Sequence, residues 1–292
     1  MNYPMVEHNG VPTELRPIEF INALRIDQVP DACAHIRHAK TLGLPQLKMY
    51  AVTEGRCIIV GGGPSAVEHI DEIRALAADP QNAVFALNYT HNWLIEQGII
   101  PKGCLMFEID VDPTKVLEKP HPQVNYFVCS LCHPTTFEGL EGYHVTVWHC
   151  SGEGQKTEVV VEEFGPDALL IGGGSTTFLR TVALAMALGF RKFDVFGCDS
   201  SFPQKSQRTH FQGYVTNTST DDTIRVWVEK GGVLKEFTSL GYLVQQAEHF
   251  RQFCQSNRFN PELNYGIKHM KVHGDETMLR YIHEGDFPEM YR

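Results

Sequence analysis

Two stretches of the sequence place three consecutive glycines between an apolar run and a helix-like segment. The first is CIIVGGGPSAVEHI (57–70) and the second is LLIGGGSTTFLRTVALAMALGF (169–190). Glycine has no side chain, so the backbone N–H groups of such a loop can approach an anion closely. The start of the following helix adds a partial positive charge. The two loops together therefore indicate a site for the phosphate of a nucleotide.

The first loop offers five residues for this contact, namely Gly61, Gly62, Gly63, Pro64 and Ser65. Proline fits the first turn of a helix because the N–H that it lacks would have no partner there. The serine hydroxyl suits a phosphate or a ribose, although it could also cap the turn. A glycine turn that only reverses the chain is the alternative, and the presence of a second such loop makes that interpretation the weaker one.

The usual nucleotide motifs do not name the ligand. Gly61-x-Gly63-x-x-Ala66 satisfies the dinucleotide fingerprint, which also requires an acid at the end of the second strand. That strand, AVFALN, ends at Asn88 instead, which disfavours NAD(P) and FAD. Neither loop has the Gly-Lys-Ser/Thr ending of a P-loop, which disfavours a P-loop kinase. Asn88 can bond a base or a ribose hydroxyl, or it can end its strand and cap the next helix.

Two carboxylates follow the third predicted strand, CLMFEID (104–110). Asp110 and Asp112 stand two positions apart in a loop, where they could share a Mg²⁺ ion that bridges phosphate oxygens. The alternative for Asp112 is a cap on a helix that begins after Pro113. Asp110 is the stronger candidate for a part in the reaction.

A third carboxylate, Asp199, ends the strand KFDVFGCD (192–199). It could orient an acceptor hydroxyl or accept its proton, with Ser200 beside it in the pocket, and capping of the loop is the alternative. His210 lies in the long polar loop that follows, and an imidazole suits proton transfer near neutral pH. A solvated loop residue is the alternative for His210.

Histidines and cysteines in the middle of the chain could line the same pocket or belong to the core. His133 and His149 stand at or just after strand ends and are candidate pocket residues. Cys129-x-x-Cys132-His133 spells the haem-attachment pattern, but haem attachment requires export and no export signal precedes it. No second CxxC or His pair completes four ligands, which disfavours zinc at this motif. The eight cysteines are expected to be free thiols in a reducing compartment.

The segments between these residues alternate between short apolar runs and helix-like stretches. The predicted strands are 57–61, 83–88, 104–110, 124–130, 144–150, 168–172 and 192–199. Continuous apolar strands between helices are typical of a parallel sheet covered on both faces. In such sheets the ligand lies beyond the carboxyl ends of the strands, where the strand order reverses. We therefore predict a doubly wound, mostly parallel, Rossmann-like α/β fold whose glycine loops hold one anionic group together at neighbouring sheet edges.

Three regions are predicted along the chain. Residues 1–50 form an N-terminal extension with one helix, and residues 51–200 form the Rossmann-like nucleotide-binding core. Residues 201–292 complete the same domain as a C-terminal extension with a long loop or lid, a hairpin around Lys-Gly-Gly, a helix and a terminal strand. The hairpin and the terminal strand could supply a surface for a homo-oligomer.

The composition of the 292-residue chain is that of a globular protein, with 42% apolar residues. No apolar run is long enough to span a bilayer, so no membrane association is expected. The segment MNYPMVEHNGVPTELRP lacks the basic start and apolar stretch of a secretory signal, so a cytoplasmic location is expected. The formal net charge of −10 disfavours nucleic acid as a partner, since nucleic-acid binding requires a basic face.

Taken in order, the motifs resemble those of a known family. GGGPS, ALN, GIIP…FEID and GGGSTTFLRTVALAMALGFRKFDVFGCDSSF are similar to motifs of the 6-hydroxymethylpterin diphosphokinase-like proteins, which include the bacterial flagellin motility accessory factors. The similarity covers about residues 55–285 and is especially close to a branch encoded in phage and prophage genomes. The same order also resembles the bacterial sialyltransferases that use CMP-sialic acid.

The resemblance implies one of two reactions. Archaeal members transfer diphosphate from ATP to a pterin alcohol with the help of Mg²⁺, whereas motility accessory factors and sialyltransferases transfer a nonulosonic sugar from CMP. We expect a transferase that uses a small-molecule nucleotide donor, a CMP-sugar in the first place, on an unidentified acceptor. A Mg-dependent diphosphokinase using ATP and a non-catalytic nucleotide sensor are the alternatives. The resemblance places the first loop and Asn88 against the nucleotide, and it places the following residues on its other side: Gly173, Gly174, Ser175 and Thr176.

Overall fold

The computed structural model describes residues 5–8, 11–14, 29–107, 109, 117, 119–152, 154–174, 176–202, 223–259 and 266–286. The helices are α1 (Val29–Thr41), α2 (Ser65–Glu68), α3 (Ile70–Ala77), α4 (Thr90–Glu96), α5 (Pro134–Glu138), α6 (Gln155–Phe164), α7 (Thr177–Ala187), α8 (Gly241–Phe259) and α9 (Met278–Asp286). The strands are β1 (Met5–His8), β2 (Val11–Glu14), β3 (Arg56–Val60), β4 (Ala83–Leu87), β5 (Gly103–Met106), β6 (Asn125–Cys129), β7 (His144–Cys150), β8 (Leu170–Ile171), β9 (Lys192–Phe196), β10 (Ile224–Lys230), β11 (Val233–Ser239) and β12 (His269–Val272).

Eight strands form one sheet in the order β12-β9-β3-β4-β5-β6-β7-β8. Every neighbouring pair in this sheet is parallel. Helices cover both faces, so a central strand such as β4 is buried along its whole length. The predicted doubly wound, Rossmann-like α/β fold is therefore confirmed.

The strand order reverses at β3. From β3 to β8 each new strand is added on the same side of the sheet. The chain then returns along α7, which contacts β3, β4, β5 and β8, and β9 pairs with the opposite side of β3. The carboxyl ends of β3 and β9 therefore border the crevice in which open α/β sheets usually bind their ligands.

The first glycine loop (61–65) follows β3, whereas the second glycine loop (172–174 and 176 of the described residues) follows β8 at the edge of the sheet. Four strands lie between them, so at about 4.8 Å per strand the two loops are roughly 24 Å apart. The expectation that both loops hold one anionic group at neighbouring sheet edges is therefore wrong. The local patterns are the same at both loops, but pairing between distant strands decides where each loop lies.

A second sheet is antiparallel and has the order β11-β10-β1-β2. It contains the hairpin predicted around Lys-Gly-Gly, with β10 and β11 paired as far as Lys230 and Val233. Strand β1 pairs with β10 in the register Met5 to Trp227, so segments distant in sequence share this sheet. Strands β1 and β2 were not predicted from the sequence, whose first 50 residues indicate one helix and no strand.

Helix α1 is part of the main core, where Ala32, Cys33, Ile36 and Ala39 are buried, and it packs against α6.

Within the described residues, no helix has both the length and the apolar character that crossing a bilayer requires.

Candidate functional site

A hydrogen-bonded contact between Ser65 and Asp199 joins the ends of β3 and β9. The backbone N–H of Ser65 donates to Asp199 Oδ2 at 3.1 Å, and Ser65 Oγ donates to Asp199 Oδ1. Both residues are buried, with 4% and 6% of their surface exposed. The first glycine loop is thereby fixed to the turn that follows β9.

The backbone N–H groups of Gly61 and Gly63 are used within the fold. Gly61 N–H donates to Phe196 O at 2.8 Å, and Gly63 N–H donates to Gly197 O at 2.7 Å. A Cβ on Gly63 would lie 2.7 Å from Gly197 O and 2.7 Å from the Asp199 carboxylate, so a larger residue does not fit there. These glycines therefore permit the close approach of two chain segments. A nucleotide contact at this loop stays a prediction.

Burial raises the pKa of the Asp199 carboxyl to about 6, although the hydrogen bonds from Ser65 favour the ionised form. A carboxyl group with this pKa can exchange a proton near neutral pH. Both of its oxygens, however, bond to Ser65. The described contacts make Asp199 a positioning residue for the first glycine loop, and its part in proton transfer stays a prediction.

The turn after β9 also connects the sheet to the C-terminal helices. Ser200 has a φ of 56°, which is uncommon for a residue other than glycine. Ser200 Oγ accepts from Gln246 Nε2 at 2.9 Å, and the Ser200 carbonyl accepts from Ser239 Oγ at 2.7 Å. Ser201 Oγ accepts from the N–H of Met278 at 3.0 Å, at the start of α9. The side chain of Ser200 is thus bonded inside the fold, and its predicted pocket role is without support from these contacts.

Asn88 lies at the carboxyl end of β4 and has a φ of 46°. Its N–H donates to Leu105 O at 3.1 Å, and its carbonyl accepts from the N–H of His91 at 3.3 Å. The residue is half-buried, so it both ends its strand and borders the carboxyl edge of the sheet. Its contact with a nucleotide stays a prediction.

The two candidate pocket histidines make the contacts of structural residues. His149 Nδ1 lies 3.0 Å from Ser130 Oγ, and its ring packs against Phe164 with the centroids 4.3 Å apart. Burial lowers the pKa of His149 to about 4, so its ring is neutral at pH 7. His133 caps α5, with its Nδ1 2.8 Å from Thr135 Oγ. A pocket role for either ring stays a prediction.

The second glycine loop lies between the start of α7 and the middle of α8. Gly173 has a φ of 113°, and a Cβ there would lie 2.6 Å from Leu179 O, so only glycine fits. A Cβ on Gly174 would lie 3.3 Å from His249 Nδ1. Thr176 caps α7 and accepts from the N–H of Leu179 at 3.5 Å.

Arg180 of α7 lies beside this loop, and its charge acts on Lys156 of α6. We call these two buried cations the cationic pair. Each of them is only 8% exposed. Arg180 Nη1 donates to Ile171 O at 2.5 Å and to Ser151 Oγ at 3.3 Å. Its Nε is buried and has no hydrogen-bond partner within the described ranges. Among the residues that the structure describes, no carboxylate pairs with either cation.

A buried cation is costly unless an anion compensates its charge. Burial lowers the pKa of Lys156, and the charge of Arg180 adds to this effect. The two positive charges therefore destabilise each other, and an anionic group bound beside them would stabilise both. Neither residue was predicted from the sequence, in which the glycine loops carry the pattern typical of a phosphate contact.

Of the cationic pair, Arg180 reaches inward from β8 towards the middle of the sheet. Arg180 Cζ is 5.8 Å from the centroid of the Phe107 ring, and Phe107 directly follows β5. Strand β5 pairs with β4, at whose end Asn88 lies. A ligand whose anionic group contacts Arg180 could therefore extend along the carboxyl edge towards Asn88.

Four predicted site residues, Asp110, Asp112, Ser175 and His210, lie outside the described residues. The Mg²⁺ site predicted at Asp110 and Asp112, the catalytic roles of Asp110 and His210, and the nucleotide contact of Ser175 stay predictions.

Comparisons with known proteins agree with this fold. Residues 35–205, more than half of the chain, match the model of the MptE-like family, described as 6-hydroxymethylpterin diphosphokinase MptE-like. Among solved structures the chain is similar to MAf glycosyltransferase from Magnetospirillum magneticum AMB-1, with a TM-score of 0.59 and 18% identity. This similarity covers 79% of the chain but only 35% of that protein, so the chain spans about a third of its length. No curated protein sequence matches the chain.

Proposed function

The chain belongs to the MptE-like family of 6-hydroxymethylpterin diphosphokinase-like proteins, and on this premise we propose that it is a transferase acting on a nucleotide-activated, anionic donor. The donor that we propose is a CMP-sugar. The observation that carries the proposal is the cationic pair, which is buried at the carboxyl edge of the sheet and has no carboxylate partner in the described part of the chain. The fold shared with MAf glycosyltransferase supports sugar transfer.

The cationic pair suits the chemistry of a departing nucleotide. When a sugar leaves CMP, negative charge increases on the phosphate as the glycosidic bond breaks. Arg180 is held by Ile171 O and Ser151 Oγ before the donor binds, so little reorganisation of this side chain accompanies the neutralisation of that charge. Ser151 Oγ, 3.3 Å from Arg180 Nη1, can add a hydrogen bond to the same phosphate.

The acceptor hydroxyl must lose a proton in the same reaction. In our proposal His249, which borders the second glycine loop, accepts it. Burial lowers the pKa of His249, so the imidazole is neutral at pH 7 and able to act as a base. Asp199 has a different part in this proposal, since both of its oxygens hold Ser65 and thereby position the first glycine loop.

Lys156→Met tests the proposal because it separates the stability of the free protein from ligand binding. Loss of a buried, uncompensated cation should stabilise the ligand-free protein by about 1 kcal/mol, or roughly 2–4 °C in melting temperature. The same change should weaken CMP binding at least about tenfold, since a charged hydrogen bond is lost. Lys48→Met is the matched control, because Lys48 is exposed, and neither quantity should change.

Thermal unfolding is measured with CMP and, separately, with ATP and Mg²⁺. Stabilisation by CMP that Lys156→Met weakens and Lys48→Met preserves supports the proposal. Stabilisation only by ATP with Mg²⁺ favours the diphosphokinase instead. Tight binding of CMP without release of the sugar from a CMP-sugar favours a sensor. If neither nucleotide stabilises the protein, the proposal is wrong.

A further inference from the structure

A second cluster of polar side chains lies near the opposite edge of the parallel sheet. His69 lies between α2 and α3, Glu72 lies in the first turn of α3, and His273 directly follows β12. His69 Nδ1 and His273 Nδ1 are each 3.2 Å from Glu72 Oε2. The possible ligand atoms of these three side chains all lie within 4.8 Å of one another. Among the described residues, this is the group with the spacing of a metal site. We call it the His–Glu–His cluster.

We propose that the His–Glu–His cluster binds a divalent transition metal ion, with zinc as the best match. Two imidazoles and one carboxylate are a ligand set that zinc uses in sites with an open fourth position. Two ligand atoms that are each about 2.1 Å from a tetrahedral ion lie about 3.4 Å from each other. The two separations of 3.2 Å agree with this geometry to within a few tenths of an ångström.

The contact with Asp194 determines which nitrogen of His273 is available. His273 Nε2 lies 3.1 Å from Asp194 Oδ1, and Asp194 Oδ2 accepts from Arg56 Nη1 at 2.8 Å. An ionised carboxylate only accepts hydrogen bonds, so we assign the proton of the neutral ring to Nε2. Nδ1 then presents its lone pair to Glu72 Oε2, and a cation between these two atoms relieves their repulsion. A carboxylate behind the histidine is also the usual outer support of a zinc ligand.

The remaining contacts of the cluster leave room for an ion. Lys271 Nζ lies 3.3 Å from Glu72 Oε1, so it occupies one carboxylate oxygen and leaves Oε2 to the metal. The side chains of His69 and Glu72 are 26% and 40% exposed, whereas that of His273 is 2% exposed. An ion can therefore enter from solvent and rest on a buried imidazole. The cluster lies near β12 and the cationic pair near β8, so the metal proposal is independent of the transfer reaction.

The full chain, first stripped of metal with a chelator, is titrated with Zn²⁺ by calorimetry and with Co²⁺ by absorption spectroscopy. We expect one ion per chain and the visible absorption of a tetrahedral Co²⁺ centre. Glu72→Gln and His69→Gln, both at partly exposed positions, should each weaken Zn²⁺ binding at least about tenfold. Mutation of a residue that only supports a metal ligand typically costs about this much, so the loss of a ligand itself should cost no less. Melting curves of the metal-free variants show whether they fold.

His144→Gln is the matched control, because His144 is an exposed histidine at the start of β7, at the opposite end of the strands. Its Zn²⁺ affinity should equal that of the wild type. The proposal is overturned if folded Glu72→Gln binds Zn²⁺ as tightly as the wild type. It is also overturned if bound Co²⁺ shows the near-ultraviolet band of thiolate ligands, since cysteines would then hold the ion. Stabilisation by CMP is unaffected by either outcome, so this test and that of the transferase fail separately.

Discussion

The buried Asp199 carboxyl should make the stability of the protein decrease as pH rises, the reverse of what a salt-bridged carboxylate does. Its pKa in the folded chain is about 6, against an ordinary value of 3.8. Between these values the folded chain binds a proton that the unfolded chain has released. The stabilisation is therefore fully present below pH 3.8 and is lost as pH rises through about 6.

The size of this effect follows from the two pKa values. The gap between 3.8 and about 6 corresponds to roughly 3 kcal/mol at about 1.4 kcal/mol per pH unit. From about pH 4.5 to about pH 7.5, roughly 2 kcal/mol of it should be lost. Asp199→Asn cannot ionise, so this part of the pH dependence should be absent from the variant.

His149 should act with the opposite sign over an overlapping range. Its pKa is about 4 in the folded chain and 6.5 ordinarily, so folding favours the neutral ring. That stabilisation is present above pH 6.5 and is lost as pH falls through about 4. In the wild type the two contributions, each roughly 3 kcal/mol in full, oppose each other. His149→Gln should therefore reveal the dependence of Asp199, and Asp199→Asn that of His149.

Urea unfolding at a series of pH values measures these differences, with tryptophan fluorescence as the signal because Trp148 is fully buried. The free energy of unfolding of the wild type minus that of Asp199→Asn should fall by about 2 kcal/mol from acidic to neutral pH. A constant difference, or one that increases with pH, would refute the reasoning, because Asp199 would then be ionised in the fold throughout the range.

Two further predictions concern single contacts. Gly63→Ala places a Cβ 2.7 Å from Gly197 O and should lower the free energy of unfolding by about 1–3 kcal/mol. Gly139→Ala, whose Cβ would lie 3.4 Å from Thr135 O, should change it by less than about 0.5 kcal/mol, and equal losses in the two variants would contradict this explanation of Gly63. His249→Gln should slow the catalysed release of CMP from CMP-sialic acid roughly a hundredfold while CMP still stabilises the protein. An unchanged rate would remove His249 from the reaction.

The strands of the parallel sheet could be predicted because burial on both faces requires an apolar residue at nearly every position. RCIIV and AVFAL meet this requirement, and they form β3 and β4 within a residue or two of the predicted bounds. The strands β1 and β2 carried no such signal, since MVEH and VPTE are short and mixed in polarity. Their place in the second sheet depends on pairing with β10, more than 200 residues away in sequence.

The candidate site could be predicted only in part. The strand–glycine–helix pattern correctly located the loops at the carboxyl edge, but it could not show that the N–H groups of Gly61 and Gly63 bond to the segment after β9. The sequence does carry a signal for Arg180. Arg180 is the single charged residue in the helix TFLRTVALAMA, whose neighbours are nearly all buried, and such an arginine must be buried as well. The approach of Lys156 to it depends on the packing of α6, which no local pattern reveals.

The placement of β9 has a consequence for the nascent protein. Strand β3 is paired on one side with β4 soon after both leave the ribosome, but its other neighbour begins 136 residues later, from Arg56 to Lys192. At about 5–20 residues per second, the open edge of this apolar strand waits roughly 7–27 seconds for its partner during translation. Over that interval the chain presents the kind of unpaired edge that chaperones protect and that other chains can capture. The crevice at the centre of the sheet is thus completed late in synthesis.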